Sequence, residues 1–143
     1  MTVRQVLSNK GTQVVTIAPQ ETLSQAAALL AGKRIGAIVV SDDGRAVAGI
    51  LSERDIIRAL SQDGAAALDA PVSKFMTRDV VTCGINADAD HLMRLMTDGK
   101  FRHVPVVEDG ALAGIISIGD VVNRRLADIE AEQQALKDYI AAG

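Results

Sequence analysis

Two short stretches carry side chains that could do chemistry. Ser52-Glu53-Arg54-Asp55 and Ser117-Ile118-Gly119-Asp120 each set a hydroxyl three residues before a carboxylate, directly after an apolar run. Two chemistries fit that spacing. In the first, the serine hydroxyl caps the third amide of a helix while the acid complements the helix dipole, worth ~1 kcal/mol. In the second, the same helix end faces a cleft. Its N–H groups and hydroxyl then meet an anion, and the aspartate accepts hydrogen bonds from vicinal sugar hydroxyls. A single Ser-x-x-Asp is generic capping. Two of them, each after Gly-Ile-Leu or Gly-Ile-Ile, mark one architectural position used twice.

The elements that position these residues are also written twice. Val14-Val15-Thr16 matches Val80-Val81-Thr82, and Asp42-Asp43-Gly44 matches Glu108-Asp109-Gly110. Gly49-Ile50-Leu51-Ser52 matches Gly114-Ile115-Ile116-Ser117, with one small indel near Arg45-Ala46. Each copy reads as a short extended segment, a helix at helical apolar spacing (roughly Leu23 to Ala31, then Ala89 to Thr97), a hairpin closed by an acidic-Gly turn, and a last helix. The pattern is β-α-β-β-α, and one copy is too small to close a core. An α+β arrangement of two copies, sheet packed to sheet with helices outside, buries both aliphatic faces. The expected divisions are motif one at 1–62, a linker at 63–71, motif two at 72–126, and an extra amphipathic helix at 127–143. Leu126, Ile129, Leu136 and Ile140 can line one face of that helix.

Composition removes several function classes. A chain of 143 residues buries about two-thirds of its unfolded surface and needs no disulfide. Its one cysteine, Cys83, has no partner within the chain and reads as a small hydrophobe. A net charge of −3 and only three aromatic residues (Phe75, Phe101 and Tyr139) disfavour phosphate-driven or base-stacking nucleic-acid binding. No apolar run reaches membrane-spanning length, and Met1–Lys10 lacks the apolar core of a secretion signal, so a cytoplasmic protein is expected. No Cys/His/carboxylate cluster has metal-ligand spacing, and no P-loop, Gly-x-Gly-x-x-Gly or Gly-x-Ser-x-Gly is present. His91 reads as a surface residue, and His103 as a partly buried polar one.

The tandem copies, with Gly49–Asp55, Gly114–Asp120 and Arg102-His103-Val104-Pro105-Val106-Val107, resemble a pair of CBS motifs, the cystathionine-β-synthase-type regulatory module. The resemblance covers nearly the whole chain and is similar to small stand-alone bacterial CBS-pair proteins. It implies a sensor of adenosine-containing ligands (AMP, ADP, ATP, NAD or S-adenosylmethionine), bound in two clefts related by pseudo-two-fold symmetry, and no catalytic residue. Carried over, it implies a first site of Thr16, Ile17, Gly36, Ala37, Ile38, Ser52, Arg54 and Asp55. The second would use Thr82, Cys83, Arg102, His103, Val104, Pro105, Ser117, Ile118, Gly119 and Asp120. It further implies a homodimer or tetramer, with a regulated protein partner possible.

Beside that resemblance stands a reading from another class, a ligand-free oligomerisation or interaction module in which the repeated serines and aspartates only cap helices. The copies differ where cations matter. Copy one has Glu53-Arg54 where copy two has Ile118-Gly119, and copy two has Lys100, Arg102 and His103 where copy one has Arg34, Gly36 and Ala37. Arg54, or Arg102 from the other half, can then serve phosphates across a shared cleft.

Overall fold

The structure, a computed structural model, describes residues 1–143. Helix α1 (Val3–Lys10) leads into strand β1 (Thr16–Ile17), helix α2 (Leu23–Lys33), strands β2 (Ala37–Val40) and β3 (Gly49–Ser52), and helix α3 (Glu53–Asp63). After a 3-10 helix at Gly64–Asp69 come α4 (Val72–Phe75), α5 (Ala89–Gly99), β4 (His103–Glu108), β5 (Ala111–Ser117) and α6 (Ile118–Ala142). The first sheet runs β1-β2-β3, with β1 parallel and β3 antiparallel to β2. The second is the hairpin β4-β5, to which Cys83 adds a parallel bridge at Val106.

The duplication is legible down to single bonds. Ser52 stands opposite Ala37, and Ser117 opposite His103. The N–H of Glu53 donates to the Gly36 carbonyl at 3.0 Å, and that of Ile118 to the Arg102 carbonyl at 2.9 Å. Arg34 and Lys100, which end α2 and α5, both adopt the left-handed conformation, at φ 55° and 59°. The hairpin turns differ. Asp109 and Gly110, at φ 51° and 77°, join Glu108 to Ala111 in a two-residue turn of the mirror-image type that suits strand twist. In copy one the extra residue opens the turn into a loop from Ser41 to Ala48. There Asp43 Oδ1 accepts from the amides of Arg45 and Ala46 at 2.8 and 2.9 Å. The strand expected to begin before Gly49 is therefore shortened to four residues.

The two hydrophobic cores do not coincide with the two sequence copies. Val3, Val6 and Leu7 of α1 pack into the second core, with Ala89, Leu92, Met96, Val104, Val106, Ile116 and Val121. Val72 of α4 packs into the first, with Leu23, Leu30, Ile38, Leu51 and Ala59. Each copy thus lends its leading helix to the other's core. The glycines before the Ser-x-x-Asp stretches permit this. A Cβ on Gly49 would lie 2.8 Å from Met76 Sδ and from the Thr77 carbonyl oxygen, and one on Gly114 would lie 3.1 Å from Leu7 Cδ1.

The 63–71 stretch is itself structured. Ala67 is buried in the first core, the Leu23 amide donates to the Ala70 carbonyl, and that of Val72 to the Glu21 carbonyl. The separate terminal helix expected at 127–143 is instead the continuation of α6. No proline or glycine falls between Val121 and Ala142, so nothing stops the helix that Ser117 starts. No helix is long and apolar enough to cross a membrane.

Candidate functional site

Both Ser-x-x-Asp stretches form complete caps. Asp55 Oδ2 accepts from the Ser52 amide at 2.8 Å while the Asp55 amide donates to Ser52 Oγ at 3.3 Å. Asp120 and Ser117 repeat this at 2.8 and 3.1 Å. The helix ends therefore offer an anion less than the sequence suggested. The first amide of each helix is spent on the carbonyl just before β2 or β4, and the third on the serine.

Beyond the caps the two aspartates diverge. Asp55 is 5% exposed and lies on a cavity of about 420 Å³, within the size range of small-molecule pockets. Its second oxygen, Oδ1, receives only a long contact from Arg58 Nη1 at 3.3 Å and another from Thr77 Oγ1 at 3.5 Å. Asp120 instead meets Lys10 of α1, whose Nζ lies 2.6 Å from Oδ2 and 2.8 Å from the Ile115 carbonyl. Burial alone would raise the Asp120 carboxyl, but the Lys10 ammonium and the Ser117 N–H and hydroxyl outweigh it and hold the group below the usual aspartate value.

The cavity draws on both copies. From the first come Gly36, Ala37, Ile50, Ser52, Glu53, Arg54, Asp55 and Arg58. The rest of the wall runs from Thr77 and Asp79–Val81 to Gly99–His103. Its cations are Arg54, Arg58, Lys100 and Arg102, its acids Glu53, Asp55 and Asp79, and its apolar wall includes Ile50, Val80, Val81 and Phe101. Arg54 Nη1 donates to the Lys100 carbonyl at 3.0 Å and so ties one half to the other beside Asp55. His103 packs against Gly36, within 3.2 Å of where a Cβ would stand. Burial, then the Lys10 ammonium, lowers the pKa of His103 despite the opposing charges of Asp120 and Glu53, so the imidazole is neutral at neutral pH.

Of the residues expected in the first site, Gly36, Ala37, Ser52, Arg54 and Asp55 line this cavity, joined by Arg102 and His103 from the second. Thr16, Ile17 and Ile38 do not; Thr16 and Ile17 are held in the sheet beside Val39 and Val40, and Ile38 is fully buried. Val104 and Pro105 are buried in β4. Cys83 is half-buried, its backbone paired with Pro105 and Val107, and burial pushes its thiol up to about 11. Thr82 and Gly119 are exposed away from the cavity, Ile118 packs on the second core, and Ser117 and Asp120 stand beside Lys10.

The sequence reading missed Arg58, although Arg54 and Arg58 share a helix face at i,i+4. It also missed Thr77, Asp79, Val80 and Val81. They reach the cavity beside Asp55 because α4 crosses to the first core, which no local pattern records.

The description of the CBS domain matches the chain twice, over residues 3–62 and 72–127. A CBS-domain containing protein of Agrobacterium tumefaciens, known from its crystal structure, is 51% identical, with a TM-score of 0.84 over 87% of this chain and 99% of its own. A CBS domain-containing protein of Bacillus subtilis is 32% identical over 120 residues, 82% of either chain. A CBS domain protein of Pyrobaculum aerophilum, solved complexed with AMP, is 28% identical, with a TM-score of 0.73 over 84% of this chain and 89% of its own.

Proposed function

The chain belongs to the CBS-domain family, and on that premise we propose that it is a regulatory module that binds an adenine nucleotide (AMP, ADP, ATP or NAD) in the cavity beside Asp55. The observation that carries this reading is a buried carboxylate with one weakly engaged oxygen, opening on a cavity that holds four cationic side chains. Ribose is recognised by an acceptor able to take two hydroxyl hydrogens, and Asp55 Oδ1 becomes one when the hydroxyls displace its long contacts from Arg58 and Thr77. Phosphate is recognised by guanidinium and ammonium groups, which Arg54, Arg58, Lys100 and Arg102 supply from both halves. Adenine needs a flat apolar slot with backbone polar groups at its edge, and Ile50, Val80 and Val81, with Phe101 as the one aromatic side chain, provide that apolar wall.

The AMP bound by the Pyrobaculum relative supports an adenosine ligand. A second nucleotide at Asp120 is disfavoured, because Lys10 already neutralises that carboxylate. The role is sensing rather than turnover. A ligand touching both halves favours the arrangement in which they close on it, and any partner reads that shift. A cytoplasmic place of action fits the lone thiol.

Thermal unfolding with and without each nucleotide tests the proposal. A ligand at a hundred times its Kd adds about 2.7 kcal/mol to native stability. That corresponds to a midpoint rise of roughly 5–10 °C for a chain of this size. If none of the four raises the midpoint, the ligand-free interaction reading replaces this one.

A further inference from the structure

The last helix is longer than the fold needs. Val121 is buried against the second core and Asp128 is half-buried, but every residue from Ile129 to Ala142 is exposed. Those residues extend the helix by about 21 Å at 1.5 Å per residue. An isolated helix of that length is marginal in water. Yet the chain places Val122, Leu126, Ile129, Gln133, Leu136 and Ile140 along it at alternating steps of four and three. Leu126, Leu136 and Ile140 are 52%, 60% and 68% exposed. A sustained four-three repeat is the seam of a coiled coil, not of a helix lying on a globular core.

We propose that this seam joins a second copy of the same chain, with the two α6 helices side by side, parallel and in register. Charge selects both the partner and the direction. In a parallel pair the residue before each first seam position meets the one after the next seam position of the other helix. That sets Arg125 opposite Glu130 of the second copy and Glu132 opposite Lys137 of the second copy, each twice by symmetry. Arg125 is already bonded to Asp90 of α5 but remains half-exposed, so it has donors left for a second carboxylate.

The fully overlapped antiparallel pair is worse on the same residues. It brings Glu132 against Glu132 and Glu130 against Glu130, with no opposite pair in exchange. Gln133 points the same way. In register and parallel, its amide meets the amide of its own copy and both are satisfied. Antiparallel, it is set against Ile129 of the second copy and its amide is buried unpaired. A polar residue at one seam position is a known means of fixing register.

Interchain disulfide formation tests this. Gly143→Cys is placed in the full-length chain with Cys83→Ser, and a mild oxidant is added. Parallel helices hold the two new thiols together, whereas the antiparallel pair separates them by about 36 Å along the axis. Because held thiols have a high effective concentration, the disulfide dimer is expected about ten-fold faster than in the same chain carrying Leu136→Glu and Ile140→Glu. Both of those positions are exposed and belong to neither core, so the fold of the two cores is retained. Glu132→Lys slows the reaction and Glu132→Lys with Lys137→Glu restores it. Equal rates with and without the Glu substitutions overturn the proposal. A mass that halves on Leu136→Glu without rapid disulfide formation overturns its parallel sense.

Discussion

Gly49→Ala tests the exchange of leading helices on which the cavity depends. Gly49 does not have a positive φ, so alanine meets no backbone penalty there and the effect is contact alone. The new Cβ would stand 2.8 Å from Met76 Sδ and 2.8 Å from the Thr77 carbonyl oxygen. The methionine can swing away; the carbonyl cannot. It accepts the Ile50 amide at 3.0 Å while the Thr77 amide donates to the Ile50 carbonyl at 2.9 Å, so moving it opens a two-bond bridge. Overpacking of this kind costs about 1–3 kcal/mol and each lost backbone bond about 0.5–1.5 kcal/mol. A total near 3 kcal/mol lowers the melting midpoint by roughly 6–12 °C.

Gly114→Ala is the matched control. Its Cβ would meet only the Leu7 methyls, at 3.1 and 3.2 Å, and a leucine tip yields more readily than a backbone carbonyl. The expected cost is about 1 kcal/mol, or roughly 2–4 °C. Circular dichroism melts of both variants decide the matter. A Gly114→Ala loss equal to or larger than that of Gly49→Ala would refute the reasoning.

Two further outcomes follow from single side chains. Cys83, whose thiol burial pushes up to about 11, reacts with an aromatic disulfide reagent at pH 8 far more slowly than the same thiol in unfolded chain; equal rates would contradict its placement beside Val106. Lys10→Met removes the 2.6 Å contact to Asp120 and costs on the order of 1 kcal/mol at neutral pH, discounted because both side chains are partly solvated. The Asp120 carboxyl is held below its unfolded value, so the unfolded chain takes up protons first on acidification. The stability from this pair is therefore complete above the ordinary aspartate value and is lost as the pH falls through the folded one. Denaturant titrations of both proteins are expected to converge at the acid end, and a gap that widens there would be the wrong sign.

The sequence made the duplication, both helix caps and both hairpins readable, because each is decided by neighbours a few residues apart. Ser52 and Asp55 had to meet across one helical turn, and Asp109-Gly110 had to turn where two positive φ angles were needed. The composition of the cavity was not readable in that way. Repeats align residue to residue, so they suggest one site per copy, but α1 and α4 each cross to the other core. That crossing brings Thr77 to Asp55, Val81 to the same cavity, and Lys10 to Asp120. Nothing local to Lys10 marks it as the partner of a carboxylate 110 positions away. The difference between Gly36-Ala37 and Arg102-His103 was visible. A cleft shared by Arg54 and Arg102 was expected with it, but that Gly36, Ala37 and His103 line the same cavity needed the third dimension.

Isothermal titration of AMP, ADP, ATP and NAD into the native protein, Asp55→Asn and Asp120→Asn tests the central claim most directly. At least one nucleotide is expected to bind the native chain below millimolar. Asp55→Asn, which removes a charged acceptor, should weaken it by about ten-fold or more, and Asp120→Asn by no more than about two-fold. No binding below millimolar by any of the four, or an equal loss from both substitutions, would contradict the account.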